Sequence, residues 1–131
     1  MNRKMVITAL ALIASAIVFG AFGAHALKEI VPTDKVASFE TGVRYQLFQG
    51  LGILILGLHS RSFQFSLKWV FGVLLAGTVL FSASIYLLVL GSAFETSLSI
   101  LGPITPIGGL LMISGWILLM VRVISDRQIS A

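Results

Sequence analysis

Two charged side chains, Glu40 and Arg44, lie in a sequence that is otherwise poor in charge. They are four residues apart, so on a helix they share one face, with the acidic residue first, the order that favours an ion pair. Within hydrocarbon an ionisable pair is costly and is a candidate for function, whereas at the interface it can fix the depth and rotation of a helix. We expect Glu40 and Arg44 to be paired and partly shielded from water.

Further polar side chains are expected near this pair, and together they form a candidate binding cluster. The members of the cluster are His25, Glu40, Arg44, Gln46, Gln49, Tyr86 and Thr105. A ligand site and simple hydrogen bonding between helices are both open as explanations. His25 could act as a proton acceptor, or it could be satisfied by water or a backbone carbonyl.

No motif in the sequence assigns an enzymatic reaction. There is no His-Glu-x-x-His pattern and no glycine-rich phosphate loop with a lysine. The lack of cysteine removes disulfides and thiolate chemistry, and Ser82 and Ser84 have no neighbouring base in the sequence that would activate them. We predict no catalytic residue, no metal and no cofactor, and an enzyme is the least favoured class.

The composition indicates a membrane protein. Of the 131 residues 57% are hydrophobic and 11% are charged, against roughly 45–50% apolar and about 25% charged in soluble domains. A soluble chain of this size could not bury so much apolar surface. The net charge of +4 does not indicate nucleic-acid binding, because no basic tract is clustered to follow a phosphate backbone.

Four segments are expected to be transmembrane helices in one domain that covers residues 1–131. Their approximate ranges are 5–27, 38–60, 69–91 and 103–122, and three of them clearly reach the roughly 20 residues that a bilayer requires. The second is free of charge only from Tyr45 to Ser60. It reaches full length if its helix begins earlier, near Asp34, where Thr33 and Asp34 could cap it after Pro32. The predicted fold is an all-α membrane protein, a compact bundle of four transmembrane helices.

The first segment has an alternative interpretation as a signal peptide. Arg3 and Lys4, an apolar run and the sequence Ala24-His25-Ala26 resemble such a peptide with its cleavage site. The apolar run is longer than the roughly 7–15 residues of a signal peptide's apolar region. We therefore expect the first span to be retained.

The basic residues predict the orientation in the membrane. The side with both termini and the second connection carries one acidic residue, Asp126, and six basic residues, and the other side carries three basic and four acidic residues. By the positive-inside rule we expect both termini to face the cytoplasm. The expected location is the cell membrane, either inner or plasma membrane. The six basic residues are Arg3, Lys4, Arg61, Lys68, Arg122 and Arg127.

Small residues recur at helical spacing and predict where helices touch. In a bilayer, helices associate where small side chains allow their backbones to approach closely. The predicted packing residues are Gly20, Ala24, Gly72, Ala76, Gly108 and Gly115.

Several stretches resemble one family of small membrane proteins. They are residues 20–25 (GAFGAH), 40–46 (ETGVRYQ), 77–86 (GTVLFSASIY), 105–109 (TPIGG) and the pair Gly115-Trp116. The family is the YgdD/YwdK-like family, domain of unknown function 423, which is related to transmembrane protein 256. The resemblance implies the architecture and no activity. Members often carry a histidine where this chain has Gln49 and a glycine where it has Ala83. Because this chain has a glutamine at position 49, the resemblance does not imply an obligatory imidazole there.

Three functions remain open at this point. The first is a non-enzymatic membrane component that binds or stabilises a partner. The alternative is a small oligomeric transporter, channel or lipid-binding protein with a polar site in the outer half of the bilayer, and the second alternative is an intramembrane lipid-modifying enzyme. The expected partners are membrane lipids and either further copies of the chain or another membrane protein.

Overall fold

The computed structural model describes residues 1–126, which form four α-helices joined by short connections. The helices are α1 (Arg3–Ala24), α2 (Thr33–Leu58), α3 (Lys68–Ala93) and α4 (Ile104–Ser125). Single turns of 3₁₀ helix lie in the three connections, at Ala26–Glu29, Ser60–Ser62 and Ser99–Leu101. The predicted all-helical class is confirmed for this part of the chain, which contains no strand. Arg127, one of the six basic residues used above, lies outside the described residues.

Among the described residues, three helical segments are long and apolar enough to cross a membrane, namely Arg3–Glu29, Lys68–Ala93 and Ser99–Ser125. They contain α1, α3 and α4. Helix α2 has 26 residues, enough length for a crossing, but its first half carries Asp34, Lys35, Glu40 and Arg44. The passage of α2 through the bilayer therefore stays a prediction.

The starts of α1 and α2 follow different rules. Asn2 caps α1, because its side-chain oxygen accepts a hydrogen bond from the Met5 backbone nitrogen at 3.3 Å. Helix α2 begins at Thr33, close to the expected start, yet its N-cap is Pro32 and no side chain caps it. The expected capping by Thr33 or Asp34 is wrong, since Thr33 is already the first helical residue.

The end of α3 adopts a Schellman motif with an unusual residue. Beyond Ala93, the Thr96 nitrogen donates to the Gly91 carbonyl at 2.9 Å and the Glu95 nitrogen donates to the Ser92 carbonyl at 3.4 Å. The motif needs a left-handed residue, usually glycine, and this chain uses Glu95 with φ 54°. The backbone carbonyls at the end of α3 are therefore satisfied at the cost of some backbone strain.

Each helix packs mainly against its neighbours in sequence and runs antiparallel to them. The first residues of α1 consequently lie beside the end of α2 and the start of α3, at what we call the N-terminal end of the bundle. One buried cluster lies toward that end and contains Met5, Ala9, Ile53, Leu56, Leu67, Val70 and Leu74. A second lies toward the far end and contains Leu27, Val31, Val36, Phe39, Tyr86 and Val89.

The outward faces of the bundle are apolar. Ile17 and Val18 on α1 and Leu110 and Ile113 on α4 are each more than half exposed. Water would penalise such surfaces strongly, whereas hydrocarbon does not. The structure therefore fits a multi-pass membrane protein.

Candidate functional site

Gln46 joins three helices at one point. Its amide nitrogen donates to the Leu12 carbonyl at 2.9 Å and to the Ser15 hydroxyl at 2.7 Å, both on α1. Its amide oxygen accepts a hydrogen bond from the Tyr86 hydroxyl of α3 at 2.8 Å. Because a carbonyl cannot donate, the amide nitrogen must face Leu12. Both hydrogens of the amide and its oxygen are therefore engaged in bonds between helices.

Aromatic rings enclose the Tyr86 end of this contact. The Tyr86 ring centroid lies 4.7 Å from that of Phe39 on α2 and 5.0 Å from that of Phe19 on α1. Gly42 on α2 also lies against the Tyr86 ring, since a Cβ at that position would come within 2.9 Å of it. The hydroxyl is thus held in a nearly water-free setting, in which a hydrogen bond is strong and a missing partner is costly.

Gln49 connects α2 to α4. Its side-chain oxygen accepts a hydrogen bond from the indole nitrogen of Trp116 at 3.1 Å. The indole ring covers Gly52, where a Cβ would come within 2.7 Å of it. A side chain at position 52 would therefore displace the ring that reaches Gln49.

Two serines of α3 complete the polar contacts between helices. The Ser82 hydroxyl donates to the Gly42 carbonyl of α2 at 2.7 Å. The Ser84 hydroxyl lies 2.6 Å from the Thr105 hydroxyl of α4. Each pair of helices that are neighbours in sequence thus shares a side-chain hydrogen bond. Within residues 3–125, every fully buried side-chain polar atom of a residue that is not exposed has a hydrogen-bond partner.

The predicted cluster of seven polar residues is not one site. Gln46 and Tyr86 touch, Gln49 and Thr105 make separate contacts with other partners, and His25 is exposed at the end of α1. Glu40 and Arg44 are exposed as well. Within residues 1–126 no salt bridge joins these two side chains. The expected ion pair is therefore wrong, since both side chains are exposed and point away from the helix contacts.

The predicted packing residues divide into two groups. Gly108 and Gly115 lie at the α3–α4 contact: a Cβ on Gly108 would come within 2.8 Å of the Gly77 carbonyl, and one on Gly115 within 2.6 Å of Leu74. Gly20 lies against α2, since its Cβ would contact Val43 at 3.4 Å.

The other three small residues do not lie at helix contacts. Ala24 and Ala76 are exposed, and no atom lies within 4 Å of the position of a Cβ on Gly72. The packing glycine of α3 is Gly77, whose Cβ would come within 2.7 Å of the Met112 nitrogen. The prediction for these three residues is corrected accordingly, because they face outward from the bundle.

Sequence reasoning missed Ser15 and Trp116 as polar partners, and Gly42 and Gly50 as contact glycines. A Cβ on Gly50 would come within 2.9 Å of Ile13 on α1. A signal was available, because a hydroxyl or indole within an apolar run must find a partner once the helix is in hydrocarbon. The sequence did not say which partner.

Two open grooves lie between the helices toward the far end. The first, which we call the apolar groove, has a volume of about 560 Å³ and is lined by Val18, Phe19, Phe22, Phe39, Ala83, Tyr86, Leu87 and Leu90. The second has a volume of about 410 Å³ and is lined by Lys35, Ser38, Thr41, Phe81, Ile85, Leu88, Val89 and Thr105. Among residues 1–126 no group of three His, Cys, Asp or Glu side chains could hold a metal ion.

Comparisons with known proteins place the chain in a family. The family described as "Protein of unknown function (DUF423)" matches residues 19–109. This range runs from the second half of α1 to the start of α4. It includes Gln46, Tyr86 and the two rings that contact Tyr86.

Individual relatives are similar over most of the chain. The UPF0382 membrane protein of Staphylococcus haemolyticus is 42% identical over 78% of this chain and 80% of its own length. Those of Staphylococcus aureus and Staphylococcus saprophyticus are each 40% identical over 78% of this chain, and over 80% and 81% of their own lengths. No solved structure matches the chain. With the family match and these relatives together, the chain belongs to the DUF423 family of membrane proteins.

Proposed function

We propose that the protein is a non-enzymatic component of the cell membrane that binds a partner membrane protein. The observation that carries the proposal is the use of the buried polar groups. Gln46, Tyr86 and Ser82 bond to other helices, so these groups serve to join the bundle. A catalytic group or a solute site would instead leave polar groups free toward a cavity.

The proposal includes four crossings, with both termini in the cytoplasm. The antiparallel packing of α2 along α1 and α3 supports its passage through the bilayer, because a helix packed along two membrane-spanning helices lies at the same depth as they do. Its two glutamines are buried against other helices and so avoid lipid. The excess of basic residues at the N-terminal end of the bundle supports the orientation.

The apolar groove is the surface that we propose for the partner. The Tyr86 hydroxyl, the one polar side-chain group in its lining, is already donated to Gln46. The groove therefore offers no free side-chain hydrogen-bond donor to a polar solute or headgroup. On α3 the groove is lined by the small side chain of Ala83, and on α1 it is bordered by Phe19 and Phe22. An apolar helix of another membrane protein has the chemistry that fits such a groove, since helices in lipid associate through close packing.

Photocrosslinking in native membranes tests this proposal. A photoreactive side chain at Leu87, which lines the groove, should give a reproducible adduct with another membrane protein. The matched control carries the same group at Ile117 of α4, which is exposed to the same extent and lies outside the groove. A second variant, Ala83→Trp, should fill the groove and remove the adduct. Equal adducts from positions 87 and 117, or adducts with copies of this chain alone, would refute the proposal.

A lipid-binding function is the second candidate, and the groove that contains Lys35 favours it. That groove combines a cation and the hydroxyls of Ser38, Thr41 and Thr105 with an apolar floor, a combination that suits a lipid headgroup and chain. Thr41→Leu should then weaken the binding of added phospholipid to the purified protein. An unchanged affinity would remove the support for this candidate.

A further inference from the structure

The N-terminal end of the bundle contains a third cavity, which we call the basic basin. It has a volume of about 930 Å³ and is bordered by the first residues of α1, the connection after α2 and the start of α3. Arg3, Lys4 and Lys68 line it together with the chain's first residue, Met1, and no lining residue is acidic. Three side chains from two helices thus concentrate positive charge around one space.

Among residues 1–126 these cations have no acidic partner. Within residues 1–126 no salt bridge engages Arg3, Lys4 or Lys68, and all three are exposed. In the part of the chain that the structure describes, the positive charge of the basin is therefore neutralised only by solvent or by an external anion. An arginine and two lysines offer a forked donor and point charges, the groups that bind phosphate oxygens.

The backbone holds this end of α1 in place. The Asn2 nitrogen donates to the Gly57 carbonyl at the end of α2 at 2.7 Å. Met5 is 1% exposed and packs in the core cluster at that end, and a Cβ on Gly57 would come within 3.0 Å of it. Arg3 and Lys4 are thus fixed at the rim of the basin between two anchored residues.

Besides its cations, the basin has an apolar surface. Phe65, Leu67 and Phe71 line it, and next to them is Gly72, above which the space is open for 4 Å. One turn of α3 separates Lys68 from Gly72. Charge at the rim and an open apolar surface one turn deeper match the two parts of a membrane lipid.

We propose that the basic basin binds an anionic phospholipid, with its phosphate headgroup among Arg3, Lys4 and Lys68 and one acyl chain on α3 beside Gly72. The inference goes beyond the proposed function and does not depend on it, because the apolar groove lies toward the opposite end of α1. The same cations would also attract free phosphate. The apolar surface beside Gly72 is the feature that selects the lipid, since a soluble anion gains nothing from it.

Native mass spectrometry of the full chain in detergent tests the proposal. The probes are phosphatidylglycerol and phosphatidylcholine with identical acyl chains, and we expect the anionic lipid to bind at least about tenfold more tightly. Each basic side chain should contribute about twofold to fivefold to that preference. The triple variant Arg3→Gln/Lys4→Gln/Lys68→Gln should abolish the preference.

The matched control removes the same charge from the far end of the bundle. In Lys28→Gln/Lys35→Gln/Arg44→Gln the preference for phosphatidylglycerol should persist. Loss of the preference in this control alone would overturn the basin and assign the lipid to the groove at Lys35. Equal loss in both triple variants would also overturn the proposal, because general charge would then explain the binding.

Two further measurements keep the proposal testable if the basin variant does not fold. Gly72→Leu retains every charge, and its Cβ meets no atom within 4 Å. The variant should weaken phosphatidylglycerol binding several-fold by occupying the path of the acyl chain. Unchanged binding in this variant would reject the proposed position of the lipid. Inorganic phosphate at millimolar concentration should leave the bound lipid in place, and its displacement would assign the basin to a soluble anion.

Discussion

The Tyr86 hydroxyl donates to the Gln46 side-chain oxygen at 2.8 Å, and this bond joins α3 to α2 across 40 residues of sequence. The same glutamine reaches α1 with its nitrogen. A single amide therefore fixes the relative position of three helices, and it does so beside rings that exclude water. The contribution of such a group depends on all of its partners being present.

Removing the Tyr86 hydroxyl should destabilise the bundle. In Tyr86→Phe the Gln46 oxygen loses its donor in a buried setting, and we expect a loss of about 0.5–2 kcal/mol in the free energy of unfolding. Unfolding in mixed micelles titrated with an anionic detergent measures it. Ser114→Ala is the control, since that hydroxyl is exposed and bonds within its own helix. Equal stability of the two variants would contradict the importance of the contact.

A methyl group at Gly108 should separate α3 from α4. Its Cβ would come within 2.8 Å of the Gly77 carbonyl and of the Phe81 Cα, so we expect Gly108→Ala to cost about 1–3 kcal/mol of stability. At the next residue, Gly109, the nearest atom would be 3.7 Å away. Gly109→Ala should therefore be neutral or stabilising, and a loss as large as that of Gly108→Ala would disprove the close contact.

Glycine at position 95 should stabilise the protein. Glu95 has a left-handed backbone in the Schellman motif, which glycine adopts without strain. We expect Glu95→Gly to gain about 0.5–1 kcal/mol in the free energy of unfolding. Glu95→Gln keeps the side-chain bulk and should show no gain, which separates backbone strain from the loss of a charge.

Glu40 and Arg44 should behave as independent surface groups. Because both are exposed and unbridged within the described chain, Glu40→Gln and Arg44→Gln should have additive effects on stability. A double-mutant cycle should give a coupling below about 0.5 kcal/mol. A coupling of several times that value would restore the shielded pair that the sequence suggested.

The connections should alternate across the membrane. The chain has no cysteine, so Ser62→Cys and Ser97→Cys each introduce a single reactive thiol into the second and third connections. With cytoplasmic termini, an impermeant maleimide applied to intact cells should label position 97 and leave position 62 unlabelled until the membrane is opened. Labelling of both positions in intact cells would exclude the crossing of α3 between them.

The sequence predicted the helices well, because an apolar run bounded by charges leaves little choice of structure. The prediction of small-residue contacts was less complete. On α3, Gly72 and Ala76 have the four-residue spacing that marks a packing face, but Gly77, one residue further, faces α4. A rotation of about 100° separates adjacent residues of a helix. Spacing alone cannot tell which of two such faces meets a neighbour.

The polar contacts were recognised in part for a similar reason. Residue type indicated that Gln46, Gln49 and Tyr86 need partners in a membrane, which is a local property. The identity of the partner depends on depth and rotation of a second helix, as the 2.7 Å bond from Gln46 to Ser15 illustrates. The Glu40–Arg44 pair failed because helical spacing permits a salt bridge but does not require one.

The partners of Gln46 and Gln49 become available in a fixed order during synthesis, since an N-terminal segment emerges first. When α2 follows α1 out of the ribosome, the Gln46 nitrogen already has Ser15 available. The Gln46 oxygen gains its donor, Tyr86, only when α3 has been synthesised, and the Gln49 oxygen gains Trp116 only with α4. Each new helix thus supplies a group that an earlier one lacks, and a chain that stops before α4 would leave the Gln49 oxygen without the Trp116 donor.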